Sequence, residues 1–175
     1  KAKNIVLDPV MIAKGGSPLL TEEAMGCMRD MLVPLADILT PNLPEAAALL
    51  GQSEAENRED MLSQAKALLG LGARNVYLKG GHFKSDESPD LMLTLKAEHW
   101  LESERIDTKN THGTGCSLSA SIAANMAGGA SEIEAAHAAK GYIKNAISEA
   151  GRLQVGQGHG PVYHFCKNFY QGNKP

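Results

Sequence analysis

Short apolar runs alternate along this sequence with segments whose apolar residues recur at helical spacing, and this alternation restricts the possible folds more than any other feature. Runs suited to buried strands are NIVL at 4–7, ADILTPN at 36–42 and NVYLKGG at 75–81. The segments 42–51 and 58–69 have the helical pattern. Strands that alternate with helices are typical of a parallel sheet covered by helices on both faces. The sequence therefore predicts an α/β layered fold.

Capping residues and prolines set the ends of the first predicted helices. Thr21, which follows a Gly-Gly-Ser-Pro loop at 15–18, can cap a helix that ends before Pro34. Gly51 is placed to stop the helix that begins at Asn42. These boundaries rest on local chemistry alone.

The second half of the chain has a different pattern. The segment 91–106 alternates weakly between apolar and polar residues and is interpreted as a β-hairpin or edge pair. A helix is predicted over 114–126. Ser131 and Glu134 have the spacing of a capping box, which predicts a last helix from there to about Ala150.

Composition excludes several classes of protein. The chain has 175 residues, of which 43% are hydrophobic, and its 17 basic and 20 acidic residues give a net charge of −3. Such a balance argues against a nucleic-acid partner, and the lack of an apolar run of about 18 residues argues against a membrane partner. Cys27, Cys116 and Cys166 are odd in number and form no CxxC pair, so we expect neither a disulfide framework nor structural zinc, and a cytoplasmic protein.

Polar side chains fall where predicted strands end, which is where ligands gather in α/β sheets. Asp8 is either a turn residue before proline or an anchor for a metal or a phosphate. Asn42 and Glu45 have the spacing of a capping pair. The same amide and carboxylate can also arrange waters around a magnesium ion.

Two lysines are candidate phosphate ligands. Lys79 follows a predicted strand, and Gly80 and Gly81 after it allow close approach of the backbone to a phosphate. Lys140 on the last predicted helix is a candidate second cation. A solvated lysine is the alternative for each.

The stretch NTHGTGCSLS, at 110–119, contains the strongest candidate site. The glycines around Thr114 let successive N–H groups converge at the start of a helix, where the helix dipole adds positive potential. Gly113, Thr114 and Gly115 would thereby form an anion hole for a phosphoryl group in transfer. The same field favours thiolate over thiol at Cys116, which makes it a candidate base or nucleophile.

Other readings of these residues are weaker. The sequence lacks GxxxxGK[ST], and GTGCSL lacks the third glycine of GxGxxG, which disfavours a P-loop NTPase and a Rossmann dehydrogenase. A cysteine hydrolase that uses Cys116 with His112 lacks an evident orienting acid. His159 and His164 have no third ligand in view, so zinc is not expected.

Several stretches taken together resemble one family. They are VLDPVM, DILTPNLPEAAALLG, LKGGH, NTHGTGCSLSASIAA, AAKGYIKNAI and GHGPVYHF. In this order they resemble the hydroxymethylpyrimidine and phosphomethylpyrimidine kinases of thiamine biosynthesis, members of the ribokinase-like superfamily. The resemblance implies a three-layer αβα sandwich with a mostly parallel central sheet.

The resemblance also assigns roles to residues. It implies that Cys116 takes the proton of the hydroxymethyl group while the amides of residues 113–116 hold the phosphoryl group. Asn42 and Glu45 match the N-x-x-E element that organises magnesium and phosphates. The other matches are Asp8, Lys79 and Thr111 near the nucleotide phosphates and Val10 in the pyrimidine pocket.

The activity implied by the resemblance is transfer of phosphate from ATP, with Mg²⁺, first to the pyrimidine alcohol and then to its monophosphate. Family members have strands and a glycine-containing loop upstream of VLDPVM that contribute to the pyrimidine pocket. We therefore expect residues 1–175 to be the carboxy-terminal part of one kinase domain without its N-terminal strands, and we do not expect full catalysis by these residues alone.

Two other functions stay open. A pyridoxine-type vitamin kinase of the same superfamily shares the GTGC-like turn, and a nucleotide-binding domain that has lost catalysis would keep the fold. We expect a homodimer, for which the hairpin near Trp100 and the apolar helices offer surface.

Overall fold

The structure is a computed structural model that describes residues 2–12, 19–81 and 88–166. The chain divides into two compact units, Lys1–Arg105 and Ile106–Pro175. The loop predicted at 15–18 lies outside the described residues.

The first unit is built on a five-stranded sheet with the strands in sequence order. The strands are β1 (Val6–Leu7), β2 (Ile38–Leu39), β3 (Val76–Leu78), β4 (Asp90–Leu93) and β5 (Glu98–Leu101). The pairs β1–β2 and β2–β3 are parallel, whereas β3–β4 and β4–β5 are antiparallel. All strands except β4 therefore run in one direction, so the sheet is mostly parallel, and β4 with β5 forms the predicted hairpin.

The described residues of this unit form three α-helices: α1 (Glu22–Cys27), α2 (Leu43–Leu50) and α3 (Arg58–Gly70). Thr21 caps α1 as predicted, and Gly51 ends α2 at φ 63°, a left-handed conformation that favours glycine. The helix expected to reach Pro34 is α-helical only to Cys27 and continues as a π-helix and a 3₁₀ turn. Pro34 lacks an N–H and restricts the residue before it, so the winding changes ahead of it.

The core of the first unit lies between the sheet and the helices α2 and α3. Val76 and Leu78 of β3 are fully buried in the same cluster as Leu43 of α2 and Leu68 of α3. Tyr77 points to the opposite side of the strand by the alternation of β structure and is also fully buried. Both faces of the central strands are therefore covered, as expected for a largely parallel sheet.

The second unit contains α4 (Thr114–Ala127) and α5 (Glu132–Ser148), which pack against each other. The capping box of Ser131 and Glu134 is confirmed. The predicted helix ends differ from the observed ones by one or two residues, and a short 3₁₀ turn, Ala150–Arg152, follows α5. Among the described residues, none of the helices has the length and apolar character needed to cross a membrane.

The segment from 153 to 166 has no regular secondary structure and returns to α5. Tyr163 donates its N–H to the carbonyl of Ala146 at 2.9 Å, and Val162 and Cys166 are buried against Ala146. This return holds the segment against the last helix.

Candidate active site

Three charged side chains meet where the parallel strands β1, β2 and β3 end. Asp8 follows β1, Lys79 follows β3, and Glu45 lies in the first turn of α2, the helix after β2. Lys79 Nζ donates to Asp8 Oδ1 at 3.1 Å and lies 3.7 Å from Glu45 Oε2. The side chains of Lys79, Asp8 and Glu45 are only 14%, 15% and 6% exposed. The structure thus shows direct contacts among residues that the sequence placed at the ends of the strands.

The capping box predicted for Asn42 and Glu45 holds this cluster in place. Glu45 donates its N–H to Asn42 Oδ1, and Asn42 donates its N–H to Glu45 Oε2, both at 2.8 Å. Asn42 also faces Lys79 in an isolated parallel bridge, in which the Lys79 N–H donates to the Pro41 carbonyl at 2.9 Å. Backbone hydrogen bonds therefore position both the carboxylate and the lysine.

The charges in this cluster are not fully satisfied by one another. Burial raises the pKa of Glu45 above its ordinary value of 4.5, although the Lys79 ammonium opposes the shift. Thr40 Oγ1 donates to the Leu7 carbonyl at 3.2 Å and lies 3.5 Å from Asp8 Oδ1. Asp8 Oδ2 is buried and has no hydrogen-bond partner among the described residues. A buried carboxylate oxygen of this kind favours a cation or a hydrogen-bond donor beside it.

Magnesium fits these oxygen donors. Mg²⁺ is usually held by one or two carboxylates together with substrate phosphates and water. Asp8 and Glu45 supply two carboxylates. The described part of the chain contains no group of three or more His, Cys, Asp or Glu side chains able to hold a metal by themselves. The Asn42 amide oxygen already accepts the Glu45 N–H, so an ion here depends on oxygens from a bound phosphate or water.

Gly80 has a different function from the predicted approach to a phosphate. A Cβ at Gly80 would overlap the carbonyl of Pro89, and the Gly80 N–H donates to Asp90 Oδ1 at 2.8 Å. The Tyr77 hydroxyl donates to Asp90 Oδ2 at 2.8 Å, and both side chains are buried. The close approach at Gly80 is therefore to the chain itself, which corrects the prediction. Asp90 was not predicted, because its only signal in the sequence is an acidic residue at the start of an apolar run.

In the second unit, α4 begins at the predicted glycine turn. Gly113 precedes the helix with φ 85° and supplies no side-chain cap. The Thr114 hydroxyl donates to the Thr111 carbonyl at 2.7 Å, which fixes the turn. The first-turn amides of Thr114 and Gly115 have no acceptor within an α-helix, and the helix dipole makes this end positive. Cys116 lies in the same turn and is exposed.

A buried amide anchors the chain ahead of this turn. Asn110 Nδ2 donates to the carbonyls of Ala150 and Leu153 at 2.8 and 3.3 Å. A Cβ at Gly160 would overlap the Asn110 side chain, and the His112 N–H donates to the Gly160 carbonyl at 3.0 Å. The sequence analysis did not single out Asn110, because only its contacts with distant carbonyls reveal its function.

The other predicted site residues differ in exposure. Lys140 is half-buried on α5. Val10 is 37% exposed, and its N–H donates to the Asp8 carbonyl at 2.9 Å. The His164 ring stacks on Tyr142 and is hydrogen-bonded to its hydroxyl at 2.7 Å. The Nδ1 atom of His159 lies 3.3 Å from the Lys109 carbonyl.

Comparison with known proteins identifies the family. The family described as phosphomethylpyrimidine kinase matches residues 1–163. This chain belongs to the phosphomethylpyrimidine kinase family. It is 46% identical over 163 residues to the hydroxymethylpyrimidine/phosphomethylpyrimidine kinase of Salmonella typhimurium, covering 93% of this chain and 61% of that protein.

Solved structures of related vitamin kinases share the fold. An ADP complex of Bacillus subtilis pyridoxal kinase has a TM-score of 0.87 and 41% identity, covering 95% of this chain and 62% of the other. Staphylococcus aureus pyridoxal kinase in complex with AMP-PCP and pyridoxal has a TM-score of 0.87 and 32% identity, covering 97% of this chain and 60% of the other. The predicted ribokinase-like α/β fold is therefore confirmed. The chain spans about three fifths of the length of these relatives.

Proposed function

We propose that this member of the phosphomethylpyrimidine kinase family transfers phosphate from ATP to hydroxymethylpyrimidine and then to the resulting monophosphate. The observation that carries the proposal is the exposed thiol of Cys116 in the first turn of α4, directly after the glycine turn at Gly113. A nucleophile or base at a helix start sits where negative charge is stabilised.

In the first step, the substrate hydroxyl oxygen forms a bond to the γ-phosphorus as the bond between that phosphorus and the ADP oxygen breaks. The hydroxyl proton passes to the sulfur of Cys116, which acts as general base in its thiolate form. The amides of Thr114 and Gly115 donate to the oxygens of the phosphoryl group as their charge rises. Thr111 lies beside this turn and is proposed to contact the nucleotide phosphates.

The charged cluster at the strand ends has a separate role in the proposal. Lys79 neutralises nucleotide phosphate oxygens, and Asp8 holds the Lys79 ammonium in place. Glu45 and Asp8 would hold Mg²⁺, with Asn42 fixing Glu45 through the capping box. When bound, magnesium supplies positive charge that stabilises the phosphates during transfer. Lys140 is proposed as a second phosphate cation, and Val10 as a contact of the pyrimidine.

The two acceptors make different demands on a base. An alcohol must lose its proton as it attacks, whereas a phosphate monoester is already largely ionised at neutral pH, since its second pKa is about 6. Cys116 should therefore matter much more to the first transfer than to the second.

The test is Cys116→Ala in single-turnover assays with each acceptor. We expect the alcohol step to slow by about 10²-fold or more, in keeping with the contribution of a general base, and the phosphate step by less than about tenfold. Cys27→Ala is the matched control, because Cys27 is exposed like Cys116 but lies in the first unit. Equal losses for both acceptors would show that Cys116 is not the base.

A pyridoxal kinase is the second candidate, and the two pyridoxal kinase structures with TM-scores of 0.87 favour it. The values of kcat/KM for hydroxymethylpyrimidine and for pyridoxal, measured on the same protein, separate the two substrates. Affinity for ATP with transfer to neither acceptor, measured with the upstream segment of the family restored, would favour a nucleotide-binding domain without catalysis.

We also propose that the protein is a cytoplasmic homodimer. Cys27, Cys116 and Cys166 form no disulfide with one another, which suits a reducing compartment. Met31 and Leu35 are 67% and 58% exposed and offer an apolar surface for association. Light scattering of the purified protein measures the oligomeric state directly.

A further inference from the structure

The antiparallel register of β3 and β4 brings a buried acid to the end of β3. Tyr77 pairs with Met92 and Leu78 pairs with Leu91, so the next position along the ladder sets Lys79 opposite Asp90. Asp90 is 5% exposed, although aspartate is rarely buried. The cost of burying this carboxylate implies that its hydrogen bonds have a structural purpose.

Both oxygens of Asp90 are used to fix the chain next to Lys79. Oδ1 accepts the N–H of Gly80 and Oδ2 accepts the hydroxyl of Tyr77, each at 2.8 Å. Gly80 packs so closely on the Pro89 carbonyl that there is no room for a side chain at position 80. Asp90, the first residue of β4, thus holds Tyr77 before Lys79 and Gly80 after it.

The position of the Lys79 side chain depends on these hydrogen bonds, because contacts at both its backbone and its ammonium restrict where it can lie. Its own N–H is bonded to Pro41, and its ammonium lies between Asp8 and Glu45. A shift of the strand end would move the Nζ atom away from both carboxylates. Long side chains keep a fixed direction only where the backbone beneath them is rigid.

We infer that Asp90 is a positioning residue that sets the direction of the Lys79 ammonium by holding the backbone of Gly80. The inference rests on the proposed function, in which Lys79 binds the phosphates of ATP. Asp90 itself touches neither substrate in this scheme and acts through Lys79.

The experiment compares Asp90→Ala with Asp90→Asn in steady-state kinase assays. Alanine removes both acceptors. Asparagine keeps an oxygen for the Gly80 N–H and presents an amide N–H₂ that the Tyr77 hydroxyl can accept. We expect Asp90→Ala to raise KM for ATP about tenfold and to leave KM for the alcohol within about twofold of the wild-type value. In Asp90→Asn, KM for ATP should stay within about threefold of the wild-type value. Where the alanine variant does not fold, Asp90→Glu takes its place, because it keeps the charge but displaces the carboxylate and should likewise raise KM for ATP.

Asp37→Ala is the matched control. Asp37 accepts the Ile5 N–H at 2.8 Å, and it lies before β2, at the other end of the strands from Lys79. A purely structural role for Asp90 predicts the same behaviour in both alanine variants, namely a lower Tm with KM for ATP unchanged. The double variant Lys79→Ala with Asp90→Ala adds a second criterion: its KM for ATP should equal that of Lys79→Ala alone, because Asp90 acts through the lysine.

Each outcome is decisive. Absence of kinase turnover in the wild-type protein, assayed with the upstream pocket segment that the family members have, would refute the proposed function itself. Turnover in the wild type with an unchanged KM for ATP in Asp90→Ala, or fully additive effects in the double variant, would refute the positioning role and leave the proposed function intact.

Discussion

Helices α2 and α5 begin with the same capping chemistry but in opposite environments. Asn42 and Glu45 at α2, like Ser131 and Glu134 at α5, exchange hydrogen bonds between the cap side chain and the third helical residue. Glu45 is nearly buried, and burial raises its pKa. Glu134 is exposed, and hydrogen bonds from Ser131 lower its pKa.

The difference between these two boxes teaches where function can arise. The hydrogen bonds of the α5 box satisfy backbone donors at the start of the helix and join Ser131 to Glu134. The α2 box lies at the carboxyl ends of parallel strands, where Lys79 and Asp8 adjoin the same carboxylate. A local motif becomes part of a candidate site only when the fold surrounds it with further charges and removes most of the water.

Of the substitutions considered, removal of Lys79 should have the largest effect on the difference between the α2 and α5 boxes. In Lys79→Ala the carboxylates of Asp8 and Glu45 lose their shared cation, so we expect kcat/KM for ATP to fall by about 10²-fold or more. The ion pairs of Lys79 with Asp8 and Glu45 are mostly but not completely buried. We therefore expect the free energy of unfolding to fall by about 2 kcal/mol. Steady-state kinetics and urea unfolding measure the two effects. Lys144→Ala, an exposed lysine on α5, should change neither; a similar loss there would contradict a specific role for Lys79.

Alanine in place of each cap residue separates capping from function. Asn42→Ala and Ser131→Ala should each lower the free energy of unfolding by about 1 kcal/mol through loss of the cap. Only Asn42→Ala should also reduce kcat/KM for ATP, by about tenfold, because it releases the Glu45 side chain from its fixed position. Urea unfolding and kinase assays on both variants provide the measurement. Equal loss of activity in the two variants would mean that the α2 box has no special role.

The pH dependence of stability should differ in sign between the two glutamates. The pKa of Glu45 is raised in the folded state, so its contribution to stability is present at low pH and is lost as the pH rises from 4.5 through the folded-state value. The pKa of Glu134 is lowered, so its contribution is present above 4.5 and is lost as the pH falls through the folded-state value.

Glu45→Gln and Glu134→Gln test this difference, because glutamine keeps an acceptor oxygen for the cap and removes the titration. Between about pH 3 and pH 7, the wild type should lose stability relative to Glu45→Gln as the pH rises and gain stability relative to Glu134→Gln. Urea unfolding across this range measures both trends. Slopes of the same sign for the two variants would contradict the opposite environments of the boxes.

Much of the fold could be predicted from the sequence because it depends on local interactions. The strands, the stop at Gly51 and the capping boxes follow from residues within a few positions of one another. The change to a π-helix ahead of Pro34 could not be predicted, because a proline signals only that a helix must end and not how it unwinds.

The sequence predicted that the candidate site lies at the strand ends, but not the contacts between its side chains. Asp8, Glu45 and Lys79 are far apart in the sequence, and only parallel pairing of the strands places them at one edge. Asp90 and Asn110 were not predicted, because their hydrogen-bond partners lie ten or more residues away in the sequence. Gly80 was assigned to a phosphate because a glycine shows that something comes close without showing what it is.

By itself, the sequence determined the order of strands and helices, the helix starts, and the glycine turn before Cys116, since each depends on backbone preferences and contacts between near neighbours. Only the tertiary structure decided which of two similar capping boxes is buried beside a lysine, and which acid holds the backbone next to that lysine. The physical reason is that burial and ion pairing depend on which distant segments meet, and the shift in a carboxyl pKa follows from that meeting and not from the motif.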